Sequence, residues 1–471
     1  MNKTISGRNN RKAYLMKNTA IFALSNFSSK IVMFFLVPLY TWKLSTSEYG
    51  VADLLFTVCS FLYPLFTLNI VEAVFRFSMD KKNDERKIIA NGVICNIICM
   101  VLGLSVIPIL KCMQNYSDYA LIFYLFLITV AISQTSLAFL KGQEKLKLFS
   151  IGNIVNVVCL AIASFLFLFV FNMSIYGYFL AYIVANISTV VFCFIGGKIK
   201  ITLSKGSFDK KLLKIMLKYS VVLIPTSFMW WIINSSDRVM IASFIGDSSN
   251  GIYAVSYKLP SLLTMLATIF NQAWVFSAIN EKDSDDYEEY TNGIFTNMLL
   301  LLSLSSIIIL GLLKTIFSFY VAPDYYAAWK YVPFLVFGFV FMTLATFIST
   351  SYNVHKDSKG FLFSGLSGAI ANIILNFIFI PIFGIYGAAL ATMLSYVIVF
   401  IYRIIDTWKY VRIKINIKHI FLLSFILLSC ASVYFDTIIN LLTCVFSAIV
   451  VAIVFKKNLI ELARSLVFRK K

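Results

Sequence analysis

Charge is scarce in this chain of 471 residues: 13% of them are Asp, Glu, Lys or Arg, where a soluble domain carries about a quarter. Polar stretches long enough to form a separate soluble domain are absent. Histidine is rarer still, with His355 and His419 expected in short polar loops far apart in the chain, so no metal site is expected. There is no ligand spacing for a metal, no nucleotide-binding loop and no Gly-x-Ser-x-Gly. The longest segment assigned outside the membrane, roughly 314–330, is too short for a catalytic domain. No catalytic residue is assigned, and the chain reads as neither an enzyme nor the holder of a cofactor. The 8 cysteines form no disulfide framework. Seven of them fall inside apolar runs, and even Cys95 and Cys99, which share a helix face, read as small packing residues.

What the chain has instead is apolar length. Sixty per cent of residues are hydrophobic, and mean hydropathy is +0.85. Repeated apolar runs of about 20 residues match a hydrocarbon core of about 30 Å. Fourteen spans are predicted, at about 18–42, 49–75, 88–110, 119–140, 149–171, 175–196, 215–245, 250–280, 293–313, 331–352, 361–381, 385–405, 419–435 and 437–455. With the N-terminus in the cytoplasm and the spans alternating, Lys43, Lys111, Lys314 and Lys330 are the basic residues in outside loops. Lys30, Arg238 and Lys258 lie within spans; all the other Lys and Arg count with the cytoplasmic segments, including Lys218 and Arg403, which stand at the cytoplasmic ends of the spans at 215–245 and 385–405. That asymmetry supports an even number of spans with both termini inside. The formal net charge of +19 follows from this topology and suits an anionic inner leaflet. It does not argue for nucleic acid.

The three intramembrane cations are the first candidates for a site, because a charge at bilayer depth is costly unless it faces protein or water. Asn234-Ser235-Ser236-Asp237-Arg238 interrupts a long apolar run, and Lys258 follows in the next. Arg and Lys hold phosphate, so Lys30, Arg238 and Lys258 are candidates for an anionic headgroup; the alternative is that they neutralise nearby carboxylates and helix dipoles. Asp53 and Asp237 are candidates for carrying a coupling ion, or for structural pairing with a cation. Trp230 and Trp231 beside the polar stretch suit stacking on sugar rings, or plain packing. Glu72 and Arg76 are spaced as an intrahelical pair. Asn156, Asn372 and Asn376 read as hydrogen-bonding links between helices.

The chain also repeats itself. Ile175-Tyr176-Gly177 with Leu180-Ala181 recurs as Ile385-Tyr386-Gly387 with Leu390-Ala391. Each copy follows a span bearing asparagines, Asn153 and Asn156 in one and Asn372 and Asn376 in the other. Pro64 and Pro260 fall at comparable places and are expected to let their spans bend. Spans 1–6 and 7–12 therefore read as two copies of a six-helix unit in the same orientation. The expected organisation is an N-terminal lobe over 1–213, a second lobe over 214–414, and a helix pair with a basic cytoplasmic tail over 415–471.

Four stretches carry a resemblance: Leu68-Asn69-Ile70 to Arg76-Phe77; Asp237-Arg238-Val239-Met240-Ile241 to Gly246; Gly251-Ile252-Tyr253; and Asn376 to Pro381 and Gly384-Ile385-Tyr386-Gly387-Ala388-Ala389. In order and spacing the chain resembles the Wzx-type polysaccharide biosynthesis flippases, of the superfamily that includes the multidrug and toxin extruders and the lipid II flippase MurJ. Asn69 and Glu72 stand where that family commonly has small residues. The resemblance implies an all-α membrane protein with a V-shaped pair of six-helix lobes and a C-terminal helix pair that forms part of a groove for a lipid tail. It implies movement of undecaprenyl-pyrophosphate-linked oligosaccharide units to the outer leaflet of a bacterial cytoplasmic (inner) membrane. The motion would be driven by an ion gradient or the membrane potential, and polysaccharide polymerase machinery is an expected partner. The rivals are a multidrug or cation antiporter of the same fold, for which carboxylates should dominate the site, and a membrane glycan polymerase, which needs larger outer loops.

Overall fold

The computed structural model describes residues 30–80, 84–113, 115–197 and 208–460. The basic N-terminal segment, residues 18–29 of the first predicted span, the basic stretch 198–207 and the basic tail from 461 onward lie outside the described residues. Every regular element among the described residues is helical. Among the described residues, eleven helices are long and apolar enough to cross a membrane, and the chain is a multi-pass integral membrane protein. Three of the fourteen predicted spans are not among the eleven. The first is only partly described, as α1 over residues 30–43. The eighth is broken into α11 (Asp247–Ser256) and α12 (Lys258–Glu281). The thirteenth is the 16-residue helix α18 (Ile417–Ser432).

The side chains are distributed as the bilayer demands. Large apolar groups such as Leu102, Ile195, Phe377 and Ile453 point outward, whereas Asn91, Asn96, Asn376 and Asn440 are fully buried. Inside, amides bond across helices: the Asn96 amide donates to Thr135 Oγ1 (2.7 Å), and that of Asn440 to the Leu310 carbonyl (3.1 Å). Such bonds give the association that hydrophobic burial cannot supply in lipid.

The chain divides into two compact units at Trp231–Ile232, inside α10 (Ile224–Phe244). The first unit holds α1, α2 (Thr46–Phe66), α3 (Ile70–Ser78), α4 (Glu85–Gly103), α5 (Val106–Lys111), α6 (Ala120–Gly142), α7 (Leu146–Ser164), α8 (Ser174–Gly196) and α9 (Lys210–Val221). A capping box at Ser45 and Glu48 starts α2. Thr67 to Asn69 then break the second predicted span, with Leu68 and Asn69 at positive φ and the Asn69 N–H donating to the Pro64 carbonyl (2.6 Å). A core of Ile70, Val74, Ile88, Phe139 and Met216 joins α3, α4, α6 and α9. A π-helical turn, Phe165–Val170, ends α7.

The second unit holds α11 and α12, α13 (Tyr287–Tyr320), α14 (Val332–Ile348), α15 (Thr350–His355), α16 (Ser358–Phe383), α17 (Ile385–Thr407), α18 and α19 (Thr437–Val454). The break between α11 and α12 falls at Tyr257, three residues before Pro260. The proline ring would clash with the carbonyl four residues back, that of Ser256, which accounts for the interruption of the helix at Tyr257. Neither histidine is in a loop: His355 ends α15, which spans Thr350–His355, and His419 lies buried in the first turn of α18, with Nε2 2.9 Å from Thr296 Oγ1.

Candidate functional site

One polar constellation within a membrane-spanning segment of the second unit is built around Asp237. α10 carries Ser236, Asp237 and Arg238 into a space closed by α11, α16 and α17. Asp237 is 1% exposed, and burial of a carboxylate at that depth requires donors. One oxygen, Oδ2, accepts from three hydroxyls: Tyr253 at 2.6 Å, Tyr257 at 3.2 Å and Thr392 at 3.2 Å. The other, Oδ1, accepts from the Arg238 backbone N–H at 2.9 Å. The Arg238 guanidinium lies over the Tyr257 ring, 5.3 Å from its centroid.

One step along α10, Ser236 Oγ donates to Asn372 Oδ1 (2.9 Å), which also accepts from Asn376 Nδ2 (2.9 Å). Asn372 Nδ2 and Asn376 Oδ1 are buried without a hydrogen-bond partner among the described residues. Every acceptor atom in this cluster is oxygen, from carboxylate, hydroxyl and amide. A hydroxyl that donates to Asp237 can rotate and present a lone pair instead. The cluster can therefore exchange hydrogen bonds for a proton or a small hard cation. No group of three or more His, Cys, Asp or Glu suited to a metal occurs among the described residues.

Of the predicted site residues, the structure puts Asp237, Arg238 and Lys258 in the second unit, with Lys258 opening α12 directly after Tyr257. Lys30, Asp53, Trp230 and Trp231 belong to the first. Lys30 is exposed at the start of the described part of α1. Asp53 is buried in α2. Trp231 Nε1 donates to the carbonyl of Thr57 (2.9 Å), one turn along α2 from Asp53, and its ring is 4.9 Å from that of Phe61. Trp230 is partly exposed.

The profile of the polysaccharide biosynthesis protein family matches residues 15–279, more than half of the chain. The chain belongs to this family. An uncharacterised membrane protein of Methanocaldococcus jannaschii is 26% identical over 438 residues, 86% of this chain and 99% of its own length. Among solved structures, the lipid II flippase MurJ in an inward closed conformation superposes with a TM-score of 0.69 at 16% identity, over 94% of this chain and 100% of that one. An inward-facing multidrug-resistance MATE transporter of the MOP superfamily gives 0.64 at 12% identity, over 82% and 94%. The fold is thus that of the MOP-superfamily transporters.

For this member of the polysaccharide biosynthesis family, reasoning from charge alone finds Asp237 and Arg238 but misses Ser236, Tyr253, Tyr257 and Thr392. Tyr253 and Tyr257 did carry a signal: they stand four apart, on one face of a helix, within twenty residues of a buried acid that needs donors. Thr392 carried none, since its approach to Asp237 depends on how α17 packs.

Proposed function

We propose that the chain is a flippase that carries undecaprenyl-pyrophosphate-linked oligosaccharide repeat units from the cytoplasmic to the outer leaflet by alternating access, for assembly of a surface polysaccharide such as O-antigen or capsule. The observation that carries this reading is the end-to-end fold likeness to a lipid II flippase in a chain of the polysaccharide biosynthesis family. The membrane is the bacterial cytoplasmic membrane, crossed fourteen times by two six-helix repeats and a C-terminal pair, with both termini in the cytoplasm.

Arg238, Lys258 and Lys30 attract the pyrophosphate, for which cationic side chains are the natural partners. Trp230 and Trp231 offer faces for the first sugars. Asp237 takes up and releases the coupling proton or cation, because its hydrogen bonds come from hydroxyls that can turn. Asp53 is the second candidate carrier, and an ion gradient or the membrane potential supplies the energy. The cytoplasmic polymerisation precursor is handed on to polymerase machinery at the outer face.

The test is the fate of lipid-linked oligosaccharide in cells carrying Arg238→Ala, Lys258→Ala or Lys30→Ala, with expression checked. Well-expressed variants should lose surface glycan and trap repeat units on the cytoplasmic face, with export down about tenfold or more. Normal export by all three, singly and combined, would sink the assignment of these cations. Drug-cation efflux in place of glycan export would turn the reading to a multidrug antiporter.

A further inference from the structure

The first unit contains a cavity of about 400 Å³ whose lining holds no charged side chain. It is bounded by α1, α2, α6, α7 and α8, and its walls combine apolar side chains such as Met33, Val130 and Leu160 with aromatic rings and amides. Phe56, Phe126 and Tyr182 supply aromatic surface; Gln134, Asn156 and Asn186 supply amides. The amides are partly held by the fold: Asn156 Nδ2 donates to Asn186 Oδ1 (3.3 Å) and to Thr189 Oγ1 (2.9 Å). That leaves the Asn186 Nδ2 group buried without a hydrogen-bond partner among the described residues, on a side chain 6% exposed. A buried donor left unmatched costs free energy, and here it borders an open cavity.

The chemistry of the lining narrows the ligand. An ion would be desolvated with no opposite charge beside it. A purely apolar ligand would leave the amides unmatched. A neutral ring bearing hydroxyls meets both conditions: Gln134 offers donor and acceptor to a hydroxyl and Asn186 its unmatched Nδ2 donor, and aromatic faces cover the C–H faces of the ring. The volume lies at the small end of ligand sites, which run from about 300 to 1,000 Å³, and suits a ring or two rather than a whole repeat unit.

We propose that this cavity is a glycosyl subsite, which reads neutral sugar of the cargo separately from its pyrophosphate. The proposal rests on the flippase reading for the source of the sugar, but not for the chemistry of the pocket. Gln134 and Asn186 are its specificity-determining residues, and Asn156 positions Asn186.

The experiment uses the full chain in lipid nanodiscs and two probes. One is the repeat-unit oligosaccharide released from the cell's surface polysaccharide by mild acid. The other is undecaprenyl pyrophosphate with and without that oligosaccharide. Binding is measured for the unaltered protein, Gln134→Met and Asn186→Leu; the first variant changes an exposed side chain and guards against a folding defect in the second. The expected result is that free oligosaccharide binds about fivefold to tenfold more weakly to each variant, while undecaprenyl pyrophosphate binds unchanged. Glycan binding that is the same in all three proteins overturns the subsite and leaves the flippase reading standing. Variant-sensitive binding of free glycan, with no binding of either lipid, keeps the subsite and overturns the lipid-linked cargo. Absence of all binding to the unaltered protein overturns both.

Discussion

Two helix pairs, α7–α8 in the first unit and α16–α17 in the second, are the most extensively packed in the described structure, and their second members open with the same Ile-Tyr-Gly pattern. The shared residues do the same work in each. Ile175 and Ile385 are buried, Tyr176 and Tyr386 are exposed, and Ala181 and Ala391 are fully buried. Tyr176 meets Tyr119 at 5.4 Å between centroids, and Tyr386 meets Tyr331 at 4.8 Å; both partners end short 3₁₀ turns that lead into α6 and α14. Gly177 and Gly387 each let the new helix touch backbone at the end of the preceding one. Deeper in the bundle the pairs part company. The amides of the first border an open cavity with no charge. Those of the second are drawn together by Ser236, next to a carboxylate ringed by hydroxyls. The repeated positions fix how helices meet; the positions between them fix what each unit can hold.

The largest contrast should come from the polar centres. Asp237→Ala strips three hydroxyls of their acceptor and should cost about 3 kcal/mol or more. Asn156→Ala should cost about 0.6–1.7 kcal/mol, the range for single interhelical bonds in a membrane. Thermal unfolding of the purified proteins compares them; equal losses would mean that the carboxylate cluster is no more demanding than an ordinary amide link. Asp237→Asn, which keeps the shape, should retain the fold but lose coupled export about tenfold or more.

Next comes the close approach. A Cβ on Gly387 would lie 2.1 Å from the Phe379 carbonyl oxygen, whereas one on Gly177 would lie 3.1 Å from that of Phe167. Gly387→Ala should therefore cost about 3 kcal/mol and Gly177→Ala about 1 kcal/mol. A reversed order in unfolding midpoints would show that the second pair can yield where the first cannot. Within the Asp237 cluster, Tyr253→Phe removes the shorter bond and should cost about 1.5–3 kcal/mol. Tyr257→Phe should cost less, and the two are compared by the same unfolding measurement.

The smallest effect concerns two helix starts outside the spans. Asp209 caps α9, accepts from Lys211 and Leu212 N–H groups and pairs with Lys87 at 3.4 Å. Asp357 caps α16 and accepts from the Gly360 N–H, Lys409 Nζ and the Tyr410 hydroxyl, each near 3 Å. These bonds, led by the Gly360 N–H, push the Asp357 carboxyl down to about 2. The bonds to Asp209, led by the Leu212 N–H, also lower it. A depressed carboxyl contributes stability that is complete above its unfolded value and lost as pH falls through the folded one. Stability should thus decline between about pH 4 and pH 2, and Asp357→Asn should flatten that decline more than Asp209→Asn. Unfolding midpoints across that acid range check it; identical acid profiles for the two variants would refute the difference between the caps.

Composition and pattern by themselves determined that this chain lives in a membrane as helices. Runs such as 119–140 and 385–405 have no other stable home, because lipid leaves the backbone no partner but itself. The Ile-Tyr-Gly repeat was equally visible in sequence, since its residues act on close neighbours in the chain. Breaks within helices were half visible: Pro260 marked the eighth span, but the left-handed turn at Leu68–Asn69 arises from local hydrogen bonding that no single residue type announces. Only the tertiary structure decided which polar groups meet. Thr392 reaches Asp237 across 155 residues and Ser236 reaches Asn372 across 136. The amides of α7 and α8 share a cavity with Gln134 of α6. A hydrogen bond or a cavity wall depends on the facing of separate helices, and periodicity gives the apolar face of one helix without saying which neighbour it will meet.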